Sequence, residues 1–255
     1  MLKAGLRRTG LSFKEIFLSL ATAFAFFSQP KASAFVDFEK ARQRMIESDL
    51  KGRGIHDERV LRAMAKVPRQ LFVPSDYRNL AYADSALPIE QDQTISQPYI
   101  VALMTQSARL QPTDKVLEVG TGSGYQAAVL AEIVKEVYTI EIHQTLAWEA
   151  ADLLHGLGYA NVQTRWGDGY QGWKDAAPFD VILITAAAPE IPEPLVEQLK
   201  IGGRMVLPLG PYRYAQELVV LTRKKEGLRK EFVTSVVFVP MTGEINHPPV
   251  NPWKP

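Results

Sequence analysis

Cysteine is absent from the 255-residue sequence, which excludes disulfides, thiolate metal sites and cysteine nucleophiles. Histidine is scarce: the four residues show no metal-ligand spacing such as HExxH, so no metal site is predicted. Excess charge is also missing, because 29 basic and 28 acidic residues leave a net charge of +1. This balance argues against a broad binding surface for nucleic acid. What remains is 46% hydrophobic and 22% charged, typical of a globular domain with a full core.

Residues 1–34 differ in composition from the rest of the chain. Basic residues (Lys3, Arg7, Arg8, Lys14) precede an apolar run over 16–27 and the small-x-small sequence Ala32-Ser33-Ala34. This order is typical of a secretory signal peptide, and the apolar run is too short to span a bilayer comfortably. A disordered extension, an uncleaved membrane anchor and a start codon placed too early remain alternatives. The segment is therefore left out of the fold prediction.

Apolar spacing over residues 35–110 predicts a helical and loop segment. A helical pattern begins at Phe38 and is broken at Gly52 and Gly54. The other predicted elements are a short helix from 57 to 68, a loop with short turns over 68–98, and an amphipathic helix over 98–110.

Residues 111–243 alternate between strand and helix patterns and predict a core domain. Strands are predicted at 115–119, 137–142, 162–166, 179–185, 204–208, 217–223 and 232–239, and helices at 125–134, 145–157 and 194–199. This alternation predicts an α/β, Rossmann-like fold, in which a mostly parallel sheet is covered by helices on both faces. The last two strands are predicted to be antiparallel. Residues 244–255 form a proline-rich tail, predicted to be extended or disordered.

A glycine loop follows the first strand of this core, in the sequence LEVGTGSGY over 117–125. Glycines let a backbone turn tightly and approach a ligand closely. Tyr125 stands where a dinucleotide fingerprint needs its third glycine, and no Lys-Ser/Thr pair is present for a P-loop. Glu118 would repel a phosphate but suits a ligand that carries cationic groups. An ordinary tight turn between strand and helix is the alternative.

Two more acids follow later strands of the core. Glu141 ends the second strand about 20 residues after the glycine loop, where a carboxylate can accept hydrogen bonds from both ribose hydroxyls. Asp168, beside Gly169, follows the third strand and could accept a hydrogen bond from an adenine amino group. A solvated strand-end acid and a plain turn are the respective alternatives.

The segment DQTISQPY over 92–99 places two hydroxyls before a helix. Thr94 and Ser96 lie near the helix N-terminus, which favours an anion. Simple capping of that helix by Ser96 is the alternative.

Three segments together resemble the protein-L-isoaspartate (D-aspartate) O-methyltransferase family: RQLFVP over 69–74, TISQPY over 94–99 and LEVGTGSGYQ over 117–126. The resemblance covers residues 41–243, and its second segment is specific to the family. It implies methyl transfer from S-adenosylmethionine to the free carboxylate of L-isoaspartyl and D-aspartyl residues in damaged proteins. Ser96, helped by Thr94, would adjoin that carboxylate. The cofactor residues would be Glu118, Gly120, Thr121, Gly122, Gly124, Glu141, Asp168 and Gly169.

An acceptor carboxylate is already ionised at neutral pH, so the predicted chemistry needs no strong general base. Holding the reacting atoms in line is the main task of such a site. Other methyltransferases, a non-catalytic binding module and an NAD oxidoreductase are alternatives, and the last is disfavoured by Tyr125.

Glu90 and Asp92 occupy positions where the family usually has glycine, and these acids bring the substrate preference into question. The expected partners are isoaspartyl proteins and peptides, with no nucleic acid and no stable membrane span, and the chain is expected to be a monomer. The need for the cofactor favours the cytosol. Cleavage near Ala34 and a periplasmic location is the alternative.

Overall fold

The structure, a computed structural model, describes residues 36–211 and 214–246. The helices of this part are α1 (Phe38–Arg44), α2 (Glu58–Lys66), α3 (Pro98–Ser107), α4 (Tyr125–Ala131), α5 (Gln144–Gly156) and α6 (Glu193–Glu197). The strands are β1 (Leu87–Pro88), β2 (Thr94–Ile95), β3 (Lys115–Val119), β4 (Glu136–Glu141), β5 (Val162–Trp166), β6 (Phe179–Ile184), β7 (Leu199–Leu209), β8 (Gln216–Lys224) and β9 (Gly227–Val236).

Seven strands form one sheet in the order β5-β4-β3-β6-β7-β8-β9. The pairs from β5 to β7 are parallel, whereas β8 is antiparallel to both β7 and β9. The predicted α/β class and the antiparallel C-terminal pair are therefore confirmed. The chain runs outward in both directions from the neighbours β3 and β6. This switch point, at the carboxyl ends of the strands, is where open α/β sheets hold ligands.

Side chains of the central strands alternate between two cores, one on each face of the sheet. Val116 packs in one core together with Leu130 of α4, and Leu117 packs in the other together with Leu195 of α6. All four side chains are fully buried or nearly so. A strand that is buried on both faces reads as a continuous apolar run, which is why these strands could be predicted.

The first helical segment ends where its glycines predicted. α1 continues through a π-helical turn (Met45–Leu50) and a 3-10 turn (Lys51–Arg53) and stops at Gly54, whose φ of 90° is left-handed. A new helix then starts, because the Asp57 carboxylate accepts a hydrogen bond from the Arg59 N–H and caps α2.

The glycine pair Gly202-Gly203 does not end the helix that precedes it. α6 ends at Glu197, and the pair lies inside β7, where the register with β6 shifts. A Cβ on Gly203 would lie 2.9 Å from the backbone oxygens of Asp180 and Lys200. Glycine is required there for close backbone approach at an irregular point in the sheet.

The last strand begins earlier and ends earlier than predicted. β9 begins at Gly227, five residues before the predicted start at Phe232, and ends at Val236 instead of 239. The missed residues include the charged Arg229, Lys230 and Glu231. Because β9 is an edge strand, charged side chains are compatible with it although they hide its strand pattern.

The loop predicted over 68–98 contains short 3-10 turns and a small antiparallel hairpin of β1 and β2. Gln91 and Asp92 at its turn have φ values of 58° and 54°, and the Gln93 N–H donates to the Glu90 oxygen. Positive φ at both central residues is the geometry that favours glycine at the second of them. The Asp92 and Glu90 side chains are exposed, so these acids lie on the outside of the hairpin.

Replacing Asp92 by glycine is expected to stabilise the protein by about 0.5 kcal/mol, because glycine adopts a left-handed conformation without steric cost. Thermal unfolding of Asp92→Gly measures the effect. Asp92→Asn, which removes the charge alone, is the control and should unfold like the wild type. A gain of the same size in both variants would assign the effect to charge and contradict the backbone explanation.

The signal-like segment 1–34 and the tail beyond 246 lie outside the described residues. Glu244–Asn246 forms a 3-10 turn within the predicted tail. In the described part of the chain, no helix is long and apolar enough to cross a membrane. No cluster of potential metal ligands occurs among those residues either.

Candidate active site

A cavity opens at the carboxyl ends of β3, β4 and β6, the switch point of the sheet. Eight of the ten residues predicted for the site line it: Thr94, Ser96, Glu118, Gly120, Thr121, Gly122, Glu141 and Gly169. The structure thus brings together residues from four separate sequence segments, whereas Gly124 and Asp168 are not part of the lining.

Gly120 turns the chain out of β3 with a φ of 100°. A Cβ at this position would lie 2.5 Å from Thr185 Oγ1, so no larger residue fits. Thr185 donates its hydroxyl to the backbone oxygen of Gly120 at 2.7 Å. Because Thr185 follows β6 directly, this bond ties the glycine loop to the neighbouring strand and keeps the cavity open between them.

Gly124 has a packing role. Contrary to the prediction, it does not line the cavity. It is the N-cap of α4 with a φ of 86°, and a Cβ there would lie 3.2 Å from Leu154 of α5. The third glycine of the loop therefore lets α4 approach α5.

Glu141 holds the glycine loop against the end of β4. Its Oε2 accepts a hydrogen bond from the Gly122 N–H at 2.8 Å, and its Oε1 accepts from the His143 N–H at 3.0 Å. Each carboxylate oxygen has a second lone pair, so the group can still accept hydrogen bonds from hydroxyls of a ligand in the cavity.

Glu118 is fully buried at the end of β3. Its Oε2 accepts a hydrogen bond from Thr139 Oγ1 at 2.7 Å, and Thr139 lies 2.6 Å from Thr121 Oγ1. Oε1 has no hydrogen-bond partner among the described residues. Burial and, to a smaller extent, the nearby Glu141 carboxylate raise the pKa of Glu118 to about 8 against the lowering effect of Thr139. A buried, unpartnered oxygen in the cavity calls for a donor from a ligand, and a cation suits it best.

Asp168 anchors the C-terminal segment, and its role as an adenine acceptor stays a prediction. Its two oxygens accept hydrogen bonds from the N–H groups of Tyr170 (2.9 Å) and Glu244 (2.7 Å). Gly243 approaches so closely that a Cβ there would lie 2.5 Å from either Asp168 oxygen. The adjacent Gly169 does line the cavity, and a Cβ on it would clash with Val119.

Residues after the last strand complete the cavity, and sequence reasoning missed them. The Ala187 N–H donates to the Val239 oxygen at 2.8 Å, and the Met241 N–H donates to the Ala187 oxygen at 2.9 Å. These bonds bring Pro240, Met241 and Thr242 into the lining. They carry no motif, and only their position behind the last strand could have indicated them.

Thr94 and Ser96 line two spaces at once. One is the cavity of the glycine loop, and the other is a groove along the end of β9 that is also lined by Arg53, Tyr99 and Phe238. The alternative in which Ser96 caps α3 is wrong, since the N-cap residue is Gln97 and no side-chain hydrogen bond caps the helix. The Ser96 and Thr94 side chains therefore stand where a ligand in the cavity and one in the groove would meet.

The family model described as protein-L-isoaspartate(D-aspartate) O-methyltransferase matches residues 40–246. A relative of that name (number 2) from Shewanella sediminis is 57% identical over 205 residues, which are 80% of this chain and 84% of the relative. One from Opitutus terrae is 49% identical over 237 residues, 93% of this chain and 99% of its own.

Solved structures agree. A protein-L-isoaspartate O-methyltransferase superposes with a TM-score of 0.74 at 29% identity, covering 80% of this chain and 67% of its own. A Plasmodium falciparum structure of that name, in complex with S-adenosyl-L-homocysteine, has a TM-score of 0.69 at 27% identity, covering 80% of this chain and 98% of its own. The resemblance carried by residues 41–243 is thus confirmed, and the chain belongs to the protein-L-isoaspartate (D-aspartate) O-methyltransferase family.

Proposed function

We propose that the chain methylates the free carboxylate of L-isoaspartyl and D-aspartyl residues in damaged proteins and peptides, and that Ser96 and Thr94 hold this carboxylate. The observation that carries the proposal is the position of these two residues, which line both the glycine-loop cavity and the groove beside it. A cofactor in the cavity and a peptide in the groove would meet at their hydroxyls.

The residues of the cavity fit S-adenosylmethionine. Its cationic amino acid part would satisfy Glu118 Oε1, which has no partner among the described residues, and its ribose hydroxyls would suit the free lone pairs of Glu141. Gly120 and Gly122 leave room for close approach to the backbone. When bound, this cofactor supplies a methyl group on a positively charged sulfur.

The chain's own residues have to orient the acceptor and exclude water from it. A carboxylate is a charged acceptor, so the Ser96 and Thr94 hydroxyls need only donate hydrogen bonds that fix its direction. Ser96 is partly buried beside the buried Ile95, which limits the access of water to its hydroxyl. No proton has to be removed, which agrees with a role for Ser96 that needs no base.

Radiolabelled methyl transfer to two peptides tests the proposal. One peptide contains a single isoaspartate, and the other has the same sequence with normal aspartate. Base-labile label on the isoaspartyl peptide alone is the expected result. No label on either peptide, with S-adenosylhomocysteine still bound by calorimetry, would refute the substrate assignment while leaving the cofactor site intact.

We also propose that the enzyme acts in the cytosol, because the reaction needs a supply of S-adenosylmethionine. N-terminal sequencing of the protein from separated cell fractions tests this. A start within residues 1–34 in the soluble cytosolic fraction is expected. A periplasmic protein that starts at Phe35, after cleavage at Ala34, would refute the proposal.

A monomer is the proposed state in solution. The exposed edge strand β9 carries Arg229, Lys230 and Glu231, and charges on an edge disfavour pairing with a second sheet. Sedimentation equilibrium is expected to give the mass of one 28.5 kDa chain. A mass of twice this value would contradict the proposal.

A further inference from the structure

Arg69 is a completely buried cation without a counterion in the part of the chain that the structure describes. Its side chain is 0% exposed in the 3-10 turn Arg69–Leu71, and burial lowers its pKa. No carboxylate lies within ion-pair distance of it among the described residues. A buried charge is costly unless it is paired. The presence of an unpaired arginine here therefore suggests that it has a function beyond packing.

The guanidinium of Arg69 donates hydrogen bonds to both ends of the loop formed by residues 81–96, here called the acceptor loop. Nε donates to the Ala81 oxygen and Nη2 donates to the Ser96 oxygen, each at 2.7 Å. Residues 81–96 between them carry the β1–β2 hairpin and Thr94. One planar group thus fixes the backbone of Ser96 relative to the start of its loop, as the forked geometry of arginine allows.

The same guanidinium also contacts the cofactor side of the site. It lies over the ring of Tyr125, 4.6 Å from the centroid, and Tyr125 lines the glycine-loop cavity. Nη1 is buried and has no hydrogen-bond partner in the described part of the chain. The positive charge is therefore held next to the residues that line the site, and no carboxylate of the described residues pairs with it there.

We propose that Arg69 is a positioning residue for methyl transfer: it fixes Ser96 and supplies the positive potential by which the acceptor site prefers an ionised carboxylate to a neutral group. The inference rests on the proposed function of Ser96. Because Arg69 is buried, its field is screened less than that of a surface charge and can act on an anion that it does not touch. A substrate carboxylate would supply the negative charge that Arg69 lacks among the described residues.

The preference can be measured with two peptides of one sequence. One contains isoaspartate and the other contains isoasparagine, whose amide replaces the free carboxylate without changing its shape. Dissociation constants are determined by calorimetry with S-adenosylhomocysteine saturating. The wild type is expected to bind the isoaspartyl peptide more tightly by about tenfold or more.

Arg69→Met should reduce this ratio about tenfold and leave the affinity for S-adenosylhomocysteine unchanged. Arg69→Lys keeps the charge but cannot donate to both carbonyls in the same way. It should keep the ratio and lower kcat about tenfold. Arg62→Met, at an exposed arginine of α2, is the matched control and should behave like the wild type.

A ratio in Arg69→Met equal to that of the wild type would overturn the inference, provided that the variant binds S-adenosylhomocysteine and is therefore folded. If Arg69→Met does not fold, Arg69→Lys decides, and a wild-type kcat in that variant would overturn the positioning role. Failure of the wild type to methylate the isoaspartyl peptide at all would instead refute the proposed function, which separates the two ideas.

Discussion

Replacing Ser96 by alanine should lower kcat on an isoaspartyl peptide about a hundredfold, while the affinity for S-adenosylhomocysteine stays the same. The hydroxyl is expected to fix the direction of the acceptor oxygen, and a misdirected acceptor costs rate on this scale. The cofactor contacts come from other elements, since Glu118 and Glu141 end β3 and β4. Loss of turnover without loss of cofactor binding would therefore identify Ser96 as a residue that positions the acceptor carboxylate.

The measurement pairs initial rates of methyl transfer with calorimetric titration of S-adenosylhomocysteine. Ser85→Ala is a matched control, because Ser85 lies in the same loop, is exposed and does not line the cavity. It should keep the wild-type kcat. If Ser96→Ala turned over within twofold of the wild type, the role assigned to its hydroxyl would be wrong.

The second large effect is expected at Glu118. Glu118→Gln should weaken the binding of S-adenosylhomocysteine, which keeps the cationic amino group, about thirtyfold to a hundredfold at pH 8 and above. Hydrogen bonds to charged groups contribute on this order, and an amide at this position can offer only one acceptor oxygen and no charge. Fluorescence or calorimetric titration measures the change. Glu226→Gln, at an exposed acid between β8 and β9, is the control.

The raised pKa of Glu118 gives this binding a pH dependence. In the ligand-free protein the carboxyl keeps its proton up to a pH of about 8, because it is desolvated and lies near Glu141. A cationic ligand favours the ionised form, so binding below pH 8 should release a proton and tighten as the pH rises from 6 to 8. Calorimetry in buffers of different ionisation enthalpy detects the proton. Equal proton release by Glu118→Gln would contradict the assignment.

Stability of the ligand-free protein should change in the opposite direction. A carboxyl whose pKa is higher in the folded than in the unfolded chain stabilises the fold at low pH. This contribution disappears as the pH rises from the ordinary value of 4.5 through about 8. The difference in unfolding free energy between the wild type and Glu118→Gln should therefore fall across this window. A constant difference would show that the pKa is not raised.

The central part of the fold could be predicted because its strands are buried on both faces. Residues 179–184 of β6 form an apolar run interrupted only by Asp180, as expected for a covered parallel strand, and the glycine loop behind β3 requires positive φ. The predicted edge strand β9 was too short, because the charged side chains on its exposed face hide the strand pattern. Periodicity reports burial, and it is weak in β9 because most residues of this strand are exposed or only partly buried.

Site residues could be predicted where their chemistry is local. Glu118 and Glu141 are recognisable because each ends a strand at the switch point. Asp168 fits the same rule, and yet it binds the backbone of the segment near Gly243. The sequence pattern does not distinguish an acid that faces a ligand from one that anchors a distant segment. Thr242 and its neighbours reach the cavity through a backbone pairing with Ala187, for which side chains give no signal.

The anchoring of Asp168 also bears on how the enzyme itself ages. Asp168-Gly169 is the one Asp-Gly pair in the sequence, and such pairs isomerise most readily because glycine leaves its nitrogen free to attack the preceding carboxyl carbon. In the folded protein both carboxylate oxygens are held by backbone N–H groups of Tyr170 and Glu244. The side chain cannot swing toward the Gly169 nitrogen while these bonds last. Isomerisation of Asp168 in the folded enzyme is therefore expected to require that these two bonds open.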